Sequence, residues 1–232
     1  ENQDFRQLFG RSGSANGAVN NRKQLKCDRK TYKMGCKLKR IKSRIRSFGS
    51  IMRKRIVIIG GGASGLTAAI GGARNGAHVT IVEHMDRVGK KILSTGNGRC
   101  NLTNLRMEED CYRCGQKGFP MEVIRGFGVD ETLAFFKGLG IEPKDRNGYI
   151  YPNSDQASAV LDVLRSEVER LGVAVLLSCR VEKIEPAVGG GGVRYKVYTD
   201  QGILDAEAVI LAAGSKAAPS TGSDGSGYEL AR

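Results

Sequence analysis

Gly60-Gly61-Gly62-Ala63-Ser64-Gly65 places three glycines at G-x-G-x-x-G spacing, and a carboxylate, Glu83, stands 23 residues after the first of them. Each position has a physical use in gripping a dinucleotide. The first glycine permits a tight turn, the second lets a pyrophosphate approach the backbone, and the third lets a helix pack closely on a strand. A helix starting at such a loop offers free N–H groups and a partial positive charge to phosphates. A carboxylate at the end of the next strand accepts hydrogen bonds from both hydroxyls of an adenosine ribose and repels a 2′-phosphate. The pattern suits FAD or NAD and disfavours NADP at this position; by itself it does not separate the first two.

The elements that must hold these residues follow from hydrophobic period. Ile56-Val57-Ile58-Ile59 is a continuous β-branched run, as in a strand buried on both faces of a parallel sheet. Ser64 to Asn75 carries Leu66, Ala69, Ile70 and Ala73 at helical spacing, with Gly76 as its left-handed stop, and His78 to Val82 reads as a second strand. Together they make a βαβ unit. Gly71 and Gly72 sit inside its helix at a cost of about 1 kcal/mol each relative to Ala, which signals either tight packing or a locally weak helix.

A glycine-rich loop, Val88 to Asn104, comes next. Helices are expected at Pro120 to Gly126 and at Asp130 to Leu139, the second with Asp130 as N-cap and Gly140 beyond its end. A longer one over Asp155 to Leu171 gathers Ala157, Val160, Leu161, Leu164, Val168 and Leu171 on one face and stops at Gly172. Strands are expected over Val173 to Glu185, Val193 to Thr199, Ile203 to Asp205 and Ala208 to Ala212. Asp200-Gln201-Gly202 forms a turn and Gly189 to Gly192 a flexible connection.

The net charge of +13 is unevenly placed. Residues 1–50 hold 14 Lys or Arg against Glu1, Asp4 and Asp28, which leaves the remainder at +2. That first segment is polar, has no sustained period and reads as a disordered basic tail over residues 1–51, ahead of a domain over residues 52–232. Met52 stands just before the first strand, so the tail reads either as upstream sequence from a misassigned start or as a non-specific, salt-sensitive nucleic-acid-binding arm. No apolar run is long enough to span a bilayer, and the N-terminus lacks a secretory pattern, so the expectation is a cytoplasmic chain with reduced thiols.

Val88-Gly89-Lys90-Lys91-Ile92-Leu93-Ser94-Thr95-Gly96-Asn97-Gly98-Arg99-Cys100-Asn101-Leu102-Thr103-Asn104 resembles the signature loop of the BaiN-like, or aminoacetone-oxidase-like, family of NAD(P)/FAD-dependent flavoproteins. Gly60 to Gly65, Gly148 to Ser158, Val209 to Gly214 and Gly222 to Leu230 match the same family in order, so the resemblance runs from about Arg53 to the C-terminus. It implies an α/β, Rossmann-like FAD-binding fold of the two-dinucleotide-binding type with a β-meander. It further implies that Gly60, Gly62, Ala63, Ser64 and Gly65 hold the pyrophosphate and Glu83 the ribose. Lys91, Arg99 and Asn101 would line the phosphates and ribityl chain, Val181 would offer backbone groups to the adenine, and Gly214 would approach the FAD. Charge logic separately supports Lys91 and Arg99, since a diphosphate leaving water needs compensation. The family more often has Ala-Thr-Gly where this chain has Ala212-Ala213-Gly214. Family members also continue into a substrate domain and a returning segment, and Arg232 falls within what reads as a starting helix. The expectation is therefore a C-terminally truncated chain with weak FAD binding and little turnover.

The implied chemistry is hydride transfer between a flavin and a small-molecule substrate, with NAD(P)H as candidate electron donor. The catalytic residues, substrate and oligomeric state are not legible. Two other readings stay open: an NAD-dependent dehydrogenase domain, and a basic nucleic-acid-binding protein with a vestigial nucleotide fold, although nothing points to specific nucleic-acid recognition. Cys100 reads as a packed loop thiol, without a C-x-x-x-x-C partner. Cys111-x-x-Cys114, even with Cys27 and Cys36, lacks paired-knuckle spacing, so no metal site is expected. His78 and His84 flank the second strand and receive no catalytic role.

Overall fold

The computed structural model describes residues 53–187 and 192–232, so the basic N-terminal segment and all of Gly189 to Gly192 except Gly192 lie outside the described residues. The chain opens with β1 (Arg55–Ile59), α1 (Ala63–Arg74) and β2 (His78–Val82). A looped stretch with 3-10 turns follows, then β3 (Thr103–Asn104), α2 (Phe119–Gly126), α3 (Val129–Gly138), β4 (Pro143–Arg146) and β5 (Tyr149–Pro152). The remainder is α4 (Ala157–Arg170), β6 (Ala174–Leu176), β7 (Val181–Pro186), β8 (Tyr195–Thr199), β9 (Gly202–Ala206), β10 (Ala208–Leu211) and α5 (Ser226–Leu230).

Four strands form a parallel sheet in the order β10-β1-β2-β6. Its two faces are sorted by the strand period of two. Ile58, Val79 and Ile81 point to one side and pack with Leu66, Ile70, Val160, Leu161 and Leu164 of α1 and α4. Val57, Ile59 and Val82 point to the other and pack against Val181, Val197 and Ala206 of the antiparallel meander β7-β8-β9. The product is a three-layer helix, sheet and meander sandwich. Full burial of side chains such as Ile58, Leu66, Ile70 and Ile81 contributes about 1.5–3 kcal/mol apiece. Among the described residues no helix is long and apolar enough to cross a membrane.

The glycine stops act as expected. Beyond α1, Gly76 donates its N–H to Ala73 O and Ala77 donates to Gly72 O, each at 3.0 Å, the paired bonds that close a helix through a left-handed residue. The two internal glycines of α1 differ. A Cβ on Gly72 would lie 3.2 Å from Val79 Cγ2, whereas one on Gly71 meets nothing within 4 Å. Tight packing therefore explains Gly72; nothing in the structure explains Gly71.

Three sequence expectations need correction, and one element was not expected at all. The strand expected over Val173 to Glu185 is two, β6 in the parallel sheet and β7 in the meander, because the chain changes layer at Ser178, whose φ is 49°. Apolar pattern alone does not reveal that corner. Asp130 is not the N-cap of α3; Gly128 is, and its N–H is bonded by the Glu131 carboxylate at 2.9 Å, leaving Asp130 in the first turn. The helix α4 starts at Ala157 because Asp155 has φ 53° and is held by Lys144 and Arg146. Finally, β4 and β5 form a hairpin that sequence reasoning missed, closed by Asn147 (φ 54°) and Gly148 (φ 86°). Asn-Gly between short strands is a strong hairpin signal, and it was available in the sequence.

Helices α1 and α4 are cross-linked by Glu167. It is nearly buried and accepts hydrogen bonds from Arg74 at 2.8 Å and Arg170 at 2.6 Å, which hold its carboxyl down at about 2. A depressed carboxylate stabilises the fold above its unfolded value, and that contribution is lost as pH falls through the folded value. The urea midpoint should therefore fall between about pH 4.5 and 2, and Glu167→Gln should be less stable at pH 7 but change less across that interval. Gly71→Ala should raise stability by about 0.5–1 kcal/mol, and Gly72→Ala by less because of Val79, as read by urea denaturation.

Candidate functional site

The glycine loop forms where three chain ends meet: the end of β1, the start of α1 and the end of β10. Gly60 has φ 105°, and a Cβ there would lie 2.5 Å from Ala212 O. A Cβ on Gly65 would lie 1.8 Å from Gly60 O, so this glycine is what lets α1 rest on the loop. Gly62 differs from both, since a Cβ there meets nothing within 4 Å. Turn, open approach and close packing are thus assigned to the three expected glycines. Gly62 is also the N-cap of α1, whose first turn has no side-chain cap, leaving its N–H groups for an acceptor from outside.

Glu83 follows β2 and is 7% exposed. Its Oε2 accepts the Gly61 N–H at 2.7 Å, and its Oε1 accepts the Met85 N–H at 2.8 Å. The Glu83 backbone is fixed as well, donating to Leu176 O at 2.8 Å and accepting from Cys179 N at 3.0 Å. A carboxylate offers about four lone-pair directions, so it retains acceptor capacity toward a further donor. The signature loop joins this arrangement through Gly89, whose N–H donates to Gly61 O at 2.8 Å. A Cβ on Gly89 would lie 2.2 Å from Leu161 Cδ1, so α4 presses the loop into place.

These pieces enclose a cavity of about 380 Å³. Gly60, Gly62, Ala63, Ser64 and Glu83 line it, as do Lys91, Asn101 and Gly214. Three expected residues do not. Gly65 lies behind the loop, Arg99 is exposed outside the lining, and Val181 is buried in the core between sheet and meander. Asn101 commits its amide N–H groups to Ile150 O at 3.2 Å and Thr103 O at 3.3 Å, so its Nδ2 ties the loop to the small sheet β3-β5-β4. Lys91 Nζ donates to Ser223 Oγ at 3.3 Å, and Ser223 donates in turn to Ser215 O at 2.5 Å.

Other lining residues were missed. Arg87 and Lys90 flank Lys91 and make the same wall cationic; their signal was the basic run around it. Thr221, Gly222 and Ser223 close the wall opposite, from the small, polar stretch after Gly214. Cys100 also lines the cavity, with φ 63°. Burial pushes its thiol up, more than the bond with Thr95 lowers it, which keeps it a thiol rather than a reactive thiolate. Cys111 and Cys114 are free and exposed; among the described residues no cluster of three or more His, Cys, Asp or Glu is placed to hold a metal ion. Cys27 and Cys36 lie outside the described residues. The uncapped helix, the three cations and the placed carboxylate make a site for an anionic ligand that also carries hydroxyl donors.

The HI0933-like protein Rossmann domain matches residues 54–232. A 3-dehydro-bile acid delta(4,6)-reductase of Clostridium scindens is 50% identical over 180 residues, covering 77% of this chain and 43% of that protein. A ribosomal RNA dihydrouridine synthase of Haemophilus influenzae is 27% identical over 176 residues, covering 75% of this chain and 44% of that protein. Among solved structures, the open conformation of a flavocytochrome c3 fumarate reductase aligns with a TM-score of 0.47 at 17% identity, covering 77% of this chain and 36% of the other. The chain spans less than half the length of the curated relatives it matches.

The three glycines should separate on substitution. Gly60→Ala and Gly65→Ala should each cost at least about 2 kcal/mol through backbone collision, whereas Gly62→Ala should stay within about 1 kcal/mol of the parent in chemical denaturation.

Proposed function

The chain belongs to the HI0933-like Rossmann-domain family, and from that premise we propose that it is the dinucleotide-binding part of an FAD-dependent oxidoreductase acting on a small molecule. The observation that carries this reading is the cavity itself, which joins the open N-terminus of α1, the Glu83 carboxylate and the Arg87, Lys90 and Lys91 cations. The residues present fit the group. Gly62, Ala63 and Ser64 would take the pyrophosphate on backbone N–H groups, with Gly60 and Gly65 shaping the loop. Glu83 would accept from the ribose, Lys91 would neutralise phosphate charge, and Asn101 and Gly214 would border the ribityl end. Arg99 and Val181 enter only as parts of the loop and strand that frame the cavity. The chemistry that such a cofactor supplies is hydride transfer.

The name of the relative at 50% identity describes a reductase acting on a 3-dehydro bile acid at delta(4,6). We therefore extend the proposal to a substrate with a carbon–carbon double bond conjugated to a ketone on a steroid-like frame, and to NAD(P)H as electron donor. The proposed compartment is the cytoplasm, where the four free cysteines among the described residues would remain thiols. A second reading, reduction of RNA uridine, is favoured by the dihydrouridine synthase match together with the basic segment over residues 1–50; its lower identity places it second.

The test is an absorption spectrum of the full chain and of the protein starting at Met52, followed by heat release and chromatographic identification of any flavin. FAD is expected from both, at the partial occupancy that weak binding leaves after purification. Gly62→Ala should keep its fold and lose about ten-fold or more in FAD affinity, because a methyl group enters the phosphate approach. A colourless folded protein that takes up NAD and not FAD would instead establish the dehydrogenase reading. Turnover of a uridine-containing RNA, and not of a steroid enone, would promote the second reading.

A further inference from the structure

The residue after Glu83 is a histidine with a place in the same site. His84 lines the cavity, and its Nδ1 lies 3.3 Å from Glu83 Oε1. On the ring's other side lies Gly222, where φ is 92° and a Cβ would come within 3.3 Å of His84 Cε1 and 3.0 Å of Met85 Cγ. A side chain at 222 would be strained at that φ and would press on both the imidazole and Met85. Two positions on is Asp224, which accepts the Ser226 N–H at 3.0 Å and a bond from Arg180 at 3.4 Å. The Ser226 bonds come first among the causes that hold the Asp224 carboxyl at about 2, followed by Arg180 and the charge of His84, so it is ionised at every pH of interest. The imidazole thus lies between the Glu83 carboxylate and the backbone of Gly222, and Asp224, two residues on, acts on it as a charge at longer range.

We propose that His84 is a positioning residue of the nucleotide site, clamped between the Glu83 carboxylate and the Gly222–Asp224 segment, and that its charge sets how tightly an anionic dinucleotide is held. This rests on the reading of the cavity as the nucleotide site. The groups around it define the sign. Glu83 faces His84 from the end of β2, Asp224 with its partner Arg180 from the terminal segment and the corner before β7, and Asp86 and Arg87 share its own loop. Lys91 is bonded to Ser223 of the same terminal segment. A protonated ring would pair with Glu83, attract Asp224 of the terminal segment at longer range and add a cation to the cavity lining. A neutral ring loses all three effects.

Imidazoles as a class change charge between about pH 5 and 8. The diphosphate of FAD is a diester whose charge does not change in that range. FAD affinity should therefore fall about 3- to 10-fold from pH 5.5 to 8.5 at constant ionic strength.

The experiment is FAD titration of the full chain by flavin fluorescence at pH 5.5, 7.0 and 8.5, with His84→Gln and His84→Lys beside the parent and circular dichroism on each protein. His84→Gln should bind weakly and without this pH dependence, and His84→Lys, a permanent cation, should bind tightly at all three values. A parent and His84→Gln with the same pH slope would overturn the inference, as would a His84→Lys no tighter than His84→Gln, while both results leave the FAD site standing. No FAD binding by any of these proteins at any pH overturns the nucleotide reading and this inference with it.

Discussion

The rest of the structure depends on a contact between backbones in which no side chain fits. The turn at Gly60 meets the Ala212 carbonyl from β10 on one side and the start of α1, at Gly65, on the other. That meeting requires β10 to lie next to β1 in the sheet, as the register from Ile56↔Ala208 to Ile59↔Leu211 places it. It also requires the chain to travel through the whole meander before returning, since β10 is the last strand. A local motif of six residues is thereby completed by a partner about 150 residues away, which ties loop geometry to completion of the sheet. Ordering such a long-range contact is slow and entropically costly, and the buried aliphatic layers on both faces of the sheet are what offset it.

Glu83 is the second point of convergence. A carboxylate at the end of β2 is bonded by the N–H of the glycine loop, by the N–H of Met85 and, through its own backbone, by the β6 end and the layer-changing corner. The corner at Ser178 and Cys179 is shaped by what it must bond to as well as by its own residues. The carboxylate therefore reaches the cavity with its position already determined, which lowers the ordering cost of any ligand that binds there.

The βαβ unit was legible because its signals are local: a β-branched run, three glycines, a helical stripe and a left-handed stop. The glycine stops at Gly76, Gly140 and Gly172 were legible for the same reason. What could not be read was anything decided across the fold. The corner at Ser178 hides within a continuous apolar pattern because both strands it joins are partly buried, and Asp155 breaks the start of α4 because Lys144 and Arg146 hold it. The second wall of the cavity, from Thr221 to Ser223, is short, polar and without period, so only its docking against Lys91 and His84 distinguishes it from an exposed loop. Arg99 shows the converse case. A cation in the signature loop looks equivalent to Lys91 in sequence, yet the 3-10 turns turn it to solvent while Lys91 faces the cavity. The Asn147-Gly148 hairpin is different again, since its signal was local and simply went unread.

Charge follows the same logic. The overall excess of +13 suggests a polyanion-binding protein, but most of it lies in residues 1–50, and from Ile51 onward the chain is close to balanced. Within that balanced part, Arg87, Lys90 and Lys91 fall on one short stretch and line one wall of a single cavity. Three cations in such a place, beside uncapped helix N–H groups and with Lys90 and Lys91 partly shielded from water, act on a bound anion more strongly than many scattered on the surface, because screening and solvent weaken the latter. The local field, set by where the loop is pinned, is therefore the better guide to what this domain binds. The pinning is done by uncharged contacts: the Gly89 N–H on Gly61 O, Leu161 against Gly89, and Asn101 on the small sheet.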